Sequence, residues 1–264
     1  MKVELIELRE DRIRFLLTGV TTAFANGIRR ACMGEVPTLA IDEIRLYDNT
    51  SVLFDEQISL RLGLIPLTAE DLDVYSSPED CICEGAGCPG CRVDFILTAE
   101  GPRVVYSQDV VFTDPGVKVA FEGIPIVVLG EGEKLVVEGY ATKRTGSAHS
   151  KWQSGTTCGY KNLPKIEIGD CQKCGKCVKV CPRDVLALDE GDRVKVVNLL
   201  ACSLCKLCID ECDYQAITVT PVPDSFVLTI EGDGSIKAKD LVAKAAEEIR
   251  HRAEMITEKI AELS

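Results

Sequence analysis

The sequence has 264 residues, 46 % hydrophobic and 27 % charged, with 30 Lys and Arg against 42 Asp and Glu for a net charge of −12. Those proportions exclude a disordered tail or a collagen-like fibre and leave a globular protein of one to three domains. An acidic chain without clustered Lys and Arg is a poor clamp for duplex DNA, so near nucleic acid it would act through a partner.

Met1-Lys2-Val3-Glu4 opens the chain without the apolar stretch of a signal peptide, and aliphatic runs such as residues 126–129 are too short for a membrane span. The expected compartment is the cytoplasm. Residues 2–8 and 12–18 alternate apolar and polar around Glu10-Asp11, which predicts a β-hairpin. Thr21 or Thr22 can cap a helix whose Phe24, Ile28 and Ala31 share one face, with Gly34 and Pro37 ending it. A strand is expected over 38–46, and residues 60–67 form an apolar patch interrupted by Pro66.

Residues 76–92 read as a loop carrying four cysteines. Short β-rich runs follow at 93–97, 104–106, 124–129 and 135–140, separated by Gly and Pro, and residues 143–160 read as loop or irregular strand. After a cysteine-rich unit over 165–220, a strand is expected at 226–230. A long helix is expected over 236–263, with Val242, Ala245, Ile249, Ala253, Ile256, Ile260 and Leu263 on one stripe. That helix has nothing nearby in sequence to pack on, so the two ends of the chain are expected to meet with the middle inserted between them.

Fourteen cysteines are the outlier; without a secretion signal they point to metal rather than disulfides. The two histidines, His149 and His251, lie far apart, so sites must be rich in thiolate. Cys171, Cys174, Cys177 and Cys181 follow C-x2-C-x2-C-x3-C, and Cys202, Cys205, Cys208 and Cys212 repeat the pattern 31 residues later. Three thiolates at this spacing reach three irons of one 4Fe–4S cluster, and in the bacterial two-cluster arrangement the fourth ligand comes from the other half. By that rule one cluster takes Cys171, Cys174, Cys177 and Cys212, and the other takes Cys202, Cys205, Cys208 and Cys181. Two zinc sites with four cysteine ligands each are the alternative, though zinc favours separated C-x2-C pairs over three cysteines in succession. The region resembles a bacterial two-cluster ferredoxin over 166–220, with Asp213 where the second motif usually has proline.

Cys81, Cys83, Cys88 and Cys91 form C-x-C-x4-C-x2-C with glycines between them. This reads as a zinc knuckle, with reduced or disulfide-paired loop cysteines as the alternative. Cys32 reads as a small core residue and Cys158 as uninvolved. Asp42-Glu43 and Asp55-Glu56 have no His, Cys or Lys constellation beside them and read as solvated charge, and His149 reads as a turn residue. No catalytic residue is expected in this chain.

Three segments carry a family resemblance: Phe-Ala-Asn-Gly-Ile-Arg-Arg-Ala from Phe24, Val-Pro-Thr-Leu-Ala-Ile-Asp from Val36, and Phe-Asp-Glu-Gln-Ile-Ser-Leu-Arg-Leu-Gly-Leu-Ile-Pro-Leu from Phe54. With Gly146-Ser-Ala-His149-Ser-Lys151-Trp152, these resemble the D-subunit family of archaeal DNA-directed RNA polymerase, related to the bacterial alpha subunit and the third-largest subunit of eukaryotic polymerase II. Matching positions include Asn26, Arg29, Arg30, Pro37, Asp55, Glu56, Arg61, Leu62, Leu64, Ile65 and Pro66.

The resemblance implies an α+β fold with a discontinuous, alpha-subunit-like dimerisation domain (residues 1–40, 150–165 and 222–264). A β-rich domain over 41–149, bearing the Cys81–Cys91 loop, and a ferredoxin-like iron–sulfur domain over 166–221 would be inserted in it. It implies pairing with subunit L through the stripe of Ile249, Ile256 and Ile260. It also implies a platform for subunits N and P and the two large catalytic subunits, with Asn26, Arg29, Arg30, Asp55, Glu56 and Arg61 at the contacts. Two 4Fe–4S clusters, one zinc, no direct nucleic-acid contact and no catalytic chemistry follow from the same resemblance. A ferredoxin-type electron-transfer protein is the competing reading. A third reading joins the two, with cluster loss weakening assembly.

Overall fold

The computed structural model describes residues 1–263. In chain order the elements are β1 (Lys2–Leu8), β2 (Arg12–Thr18), α1 (Thr22–Gly34), β3 (Pro37–Asn49), α2 (Asp55–Gly63), β4 (Leu67–Ala69), β5 (Arg92–Glu100), β6 (Arg103–Tyr106), β7 (Val111–Phe112), β8 (Val117–Val119), β9 (Pro125–Leu129) and β10 (Lys134–Thr145). They continue as β11 (Gly155–Ile168), α3 (Lys176–Val180), β12 (Leu186–Leu188), β13 (Val194–Val196), α4 (Leu207–Asp210), β14 (Ile217–Gly232) and α5 (Ala238–Glu262). Contacts divide the described residues into one unit of 1–6, 14–26 and 159–229 and a second of 7–13, 27–158 and 230–263.

One sheet has the order β1-β2-β14-β11, so the N-terminal hairpin neighbours a strand from the far end of the chain. The hairpin turn closes where the Arg9 amide donates to the Arg12 carbonyl at 2.7 Å. Along β2 alternate residues Ile13, Phe15 and Leu17 are buried, whereas the edge strand β1 leaves Val3 and Leu5 exposed. In the first unit Phe226 of β14 is buried with its ring edge-on to Tyr160 of β11. Strand β14 is far longer than the expected 226–230, and runs through Pro221 and Pro223. Thr21 rather than Thr22 caps α1, accepting from the Phe24 amide at 3.3 Å.

The second unit is built on the sheet β3-β10-β5-β7. Strand β5 shows the strict alternation of a half-buried strand, with Val93, Phe95, Leu97 and Ala99 in the core. Helix α2 covers the first half of the expected apolar patch and the residues before it, and Leu67 of that patch begins β4. Only Ile58 and Leu62, one turn apart, enter that core, and both are fully buried. Asp55 and Glu56 lie in its first turn and Arg61 in its last, each complementing the helix dipole. Residues 155–160, expected as loop or irregular strand, belong to β11, which makes Cys158 a half-buried strand residue.

Candidate metal centres and docking surfaces

The Cys81–Cys91 loop is made of tight turns, with Gly85, Gly87 and Glu84 in the left-handed region at φ of 81°, 86° and 52°. The Cys83 carbonyl accepts from Ala86 and the Cys88 carbonyl from Cys91, which folds the two halves of the loop toward each other. The four Sγ atoms lie within 4.8 Å of one another. The separations are 3.4 Å for Cys81–Cys83, 3.5 Å for Cys81–Cys88, 3.5 Å for Cys83–Cys91 and 3.9 Å for Cys88–Cys91. A tetrahedral zinc with Zn–S of about 2.3 Å places its sulfurs about 3.8 Å apart, so the donor set fits a four-thiolate zinc site. The contact with Cys81 holds the Cys83 thiol down at about 6 while Cys81 and Cys91 are pushed up, so Cys83 is the sulfur that ionises first.

The eight remaining motif cysteines lie in the first unit and gather around two cavities. Cys171, Cys174, Cys177 and Cys212 line one, together with Ile168, Val194 and Ile217. Cys181, Cys202, Cys205 and Cys208 line the other, with Ile166, Val185, Leu186 and Val219. The backbone repeats as the sequence does. Lys173, Gly175 and Asp184 take φ of 60°, 68° and 49°, and Leu204, Lys206 and Gln215, each 31 residues later, take 58°, 64° and 50°. These left-handed residues curl each loop so that its cysteines converge. Burial and the neighbouring Cys202, Cys181 and Cys205 push the Cys208 thiol up to about 11. Each cavity thus combines four sulfurs with aliphatic side chains, Arg183 and Lys206 joining them in the second, a donor set that fits an iron–sulfur cluster and would release protons on loading.

Two of the sequence segments meet in the second unit. The Asp42 carboxylate holds the Lys151 ammonium at 2.8 Å, and the Lys151 Nζ sits 4.3 Å from the centroid of the buried Trp152 ring. Thr38 donates to the Trp152 carbonyl and the Trp152 indole to the Thr142 carbonyl, both at 2.9 Å. His149 Nδ1 accepts from the Lys151 amide and shapes a short helical turn. The expectation of solvated charge fails at Asp42, because its partner lies 109 residues away in sequence.

Of the expected docking residues, Arg30, Asp55 and Glu56 are exposed, Asn26 and Arg29 half-buried. Asp55 accepts from Asn49 at 2.7 Å, Arg29 reaches the Met33 sulfur, and Arg61 donates to the Ile126 carbonyl at 2.6 Å. Arg61 therefore anchors α2 to β9. Around that helix Val52, Phe54, Leu60 and Leu64 are exposed. Helix α5 buries only Ala238, Leu241 and Ala245; Ile249 is half-buried, and Ile256 and Ile260 are 60 % and 61 % exposed. Cys32 is fully buried, its thiol pushed up to about 12 by desolvation. Among the described residues no helix is long and apolar enough to cross a membrane.

Sequence reasoning missed Arg14 and Lys161. The Lys161 ammonium donates to the carbonyls of Leu200 at 2.6 Å and Cys202 at 2.7 Å, and Arg14 donates to Leu200 at 2.8 Å. Nothing local marks them, since each is one basic residue in a strand whose partner is distant.

The family model described as the RNA polymerase Rpb3/Rpb11 dimerisation domain matches residues 14–253. The chain is 48 % identical over 256 residues to DNA-directed RNA polymerase subunit Rpo3 of Methanosarcina acetivorans, covering 96 % of each chain. It is 39 % identical over 263 residues to the subunit of the same name from Archaeoglobus fulgidus, covering 99 % of this chain and 98 % of the relative. With that of Methanothermobacter thermautotrophicus it shares 42 % identity over 259 residues and 97 % of each chain.

Proposed function

The chain belongs to the RNA polymerase Rpb3/Rpb11 dimerisation-domain family, and we propose that it serves DNA-directed RNA polymerase as a non-catalytic platform on which the other subunits assemble. The observation that carries this reading is the match over residues 14–253 together with an α5 whose apolar stripe is left uncovered at Ile256 and Ile260. A stripe of that length is an aggregation hazard unless a partner covers it. The partner is an L/Rpb11-like subunit, and the docking domain comprises residues 1–40, 150–165 and 222–264. Subunits N and P and the large catalytic subunits then join the pair in the cytoplasm. The exposed apolar residues around α2, with Arg30, Asp55 and Glu56, support contact with the large subunits.

The metal sites are part of the proposal. Residues 166–221 form a ferredoxin-like insertion whose two cavities hold one 4Fe–4S cluster each, and the Cys81–Cys91 loop holds zinc. When bound, the clusters supply stable cross-links between the halves of the insertion and a capacity for one-electron chemistry. The protein's own residues orient the thiols through the left-handed turns and exclude water with the aliphatic side chains of the walls. A stand-alone electron carrier is the weaker reading, because it leaves the rest of the chain, matched over 96–99 % of its length, without a role.

The test is co-expression with the L-like subunit under strict exclusion of air. A stable one-to-one heterodimer with about eight irons and one zinc per chain is expected. A monomer that joins no polymerase subunit overturns the platform reading, and a colourless, iron-free preparation overturns the cluster reading.

A further inference from the structure

The two cavities are related by the 31-residue repeat, but their charges are not. Cavity two, lined by Cys181, Cys202, Cys205 and Cys208, also has Pro182, Arg183 and Lys206 in its wall. The counterparts of these three residues, one repeat away, are Asp213, Tyr214 and Gly175. Cavity one is lined by Tyr214 and by no charged side chain, and Asp213 beside it is paired with Lys176 at 2.7 Å. Cavity two is backed by two further cations. Lys161 donates to the carbonyl of the ligand Cys202, and Arg14 joins it on the Leu200 carbonyl. The difference lies in the walls: cavity two has Arg183 and Lys206 where the other half has Tyr214 and Gly175, whereas Lys173 and Lys176, which replace Leu204 and Leu207 on the first loop, lie outside the wall of cavity one, and Lys176 is engaged by Asp213.

A cluster that accepts one electron becomes more negative by one charge. Nearby cations stabilise that state, most where water is partly excluded, as at the half-buried Lys161, and less at the exposed Arg183 and Lys206, where solvent screens them. We propose that the cluster held by Cys181, Cys202, Cys205 and Cys208 is the first of the two to be reduced. Arg183, Lys206 and Lys161 are the positioning residues that set the order. The reaction is uptake of one electron from a low-potential one-electron donor such as dithionite, with no proton and no bond change. The inference rests on the two-cluster reading proposed above.

The experiment is an anaerobic redox titration of the full chain with its partner subunit, followed by electron paramagnetic resonance. Two one-electron steps are expected. R183Y and K206G each install the residue that the other half already uses, so together they remove the charge difference between the two walls without a foreign side chain, leaving Lys161 and Arg14 in place. The upper step of R183Y/K206G is expected to fall by about tenfold in its reduction equilibrium, ~59 mV for one electron, with the lower step unmoved. K161M, which leaves the cavity wall intact, is expected to shift the same step in the same direction. C205S should retain only the lower step and C174S only the upper. Unmoved midpoints in R183Y/K206G and K161M at full iron content overturn the charge assignment alone, as does an upper step surviving in C205S. Absence of iron and sulfide from the wild-type chain overturns the cluster reading and this inference with it.

Discussion

Asp42 and Lys151, 109 residues apart in sequence, form a 2.8 Å ion pair, with Lys151 also lying over the Trp152 ring. The pair joins two of the segments that carry the family resemblance, and both side chains are largely shielded, at 23 % and 15 % exposure. Removing one partner leaves the other charge half-buried without its counter-ion. In a double-mutant cycle with Asp42→Asn and Lys151→Met, a coupling of about 1–2 kcal/mol is expected from urea unfolding. A coupling near zero would reduce the pair to a solvated contact.

Gly146 opens the segment that contains Lys151, and its role is steric. A Cβ there would stand 2.2 Å from the Met33 carbonyl oxygen and 3.3 Å from Gln153 Cα, both backbone atoms that cannot step aside. The Ser147 amide and hydroxyl both donate to the Gly34 carbonyl and hold the loop against the end of α1. Gly146→Ala is expected to cost about 1–3 kcal/mol through this overpacking. Gly123→Ala, where nothing lies within 4 Å, serves as the control and should leave the unfolding midpoint in place. Equal midpoints for the two variants would refute the steric account.

These long-range contacts mark the limit of what the sequence alone reveals. The hairpin over 2–8 and 12–18 and the helix at the C-terminal end are legible because period-2 and period-3.6 patterns are local. The 31-residue cysteine repeat is legible for the same reason, and it reappears in the backbone at Lys173 and Leu204. Helix α2 is hidden, since only Ile58 and Leu62 of its nine residues face the core and two positions make no period. The first part of β14 is masked by Pro221 and Pro223, which argue against a strand. Asp42 is misread, and Arg14 and Lys161 are missed, because their partners are set by tertiary structure.

The Cys81–Cys91 loop is expected to bind its metal independently of the iron–sulfur cysteines. Cys91 is buried at 2 % exposure and its sulfur accepts from the Cys88 amide, so it is the ligand that the loop orders best. Cys91→Ser should lower zinc from about one per chain to none while leaving iron and sulfide unchanged, because a structural zinc site needs all four ligands. Metal analysis of the heterodimer reads both quantities at once. Retention of zinc in this variant would exclude the four-cysteine site.

The last turns of α5 supply the sharpest test of the platform. Its buried residues stop at Ala245, yet the apolar spacing continues through Ile249, Ile256 and Ile260, the last two mostly exposed. A side chain of this kind gains about 1.5–3 kcal/mol when fully covered, so two of them are a substantial part of a heterodimer interface. Placing a carboxylate at each position removes that gain and charges the region a partner must desolvate. Ile256→Glu with Ile260→Glu is expected to weaken pairing with the L-like subunit at least a hundredfold, read as dissociation to monomer in size-exclusion chromatography at micromolar concentration. Thermal unfolding of the separated chain should change little, since neither residue is in its core. Pairing of wild-type strength in the double variant would place the partner surface elsewhere and leave the exposed end of α5 unexplained.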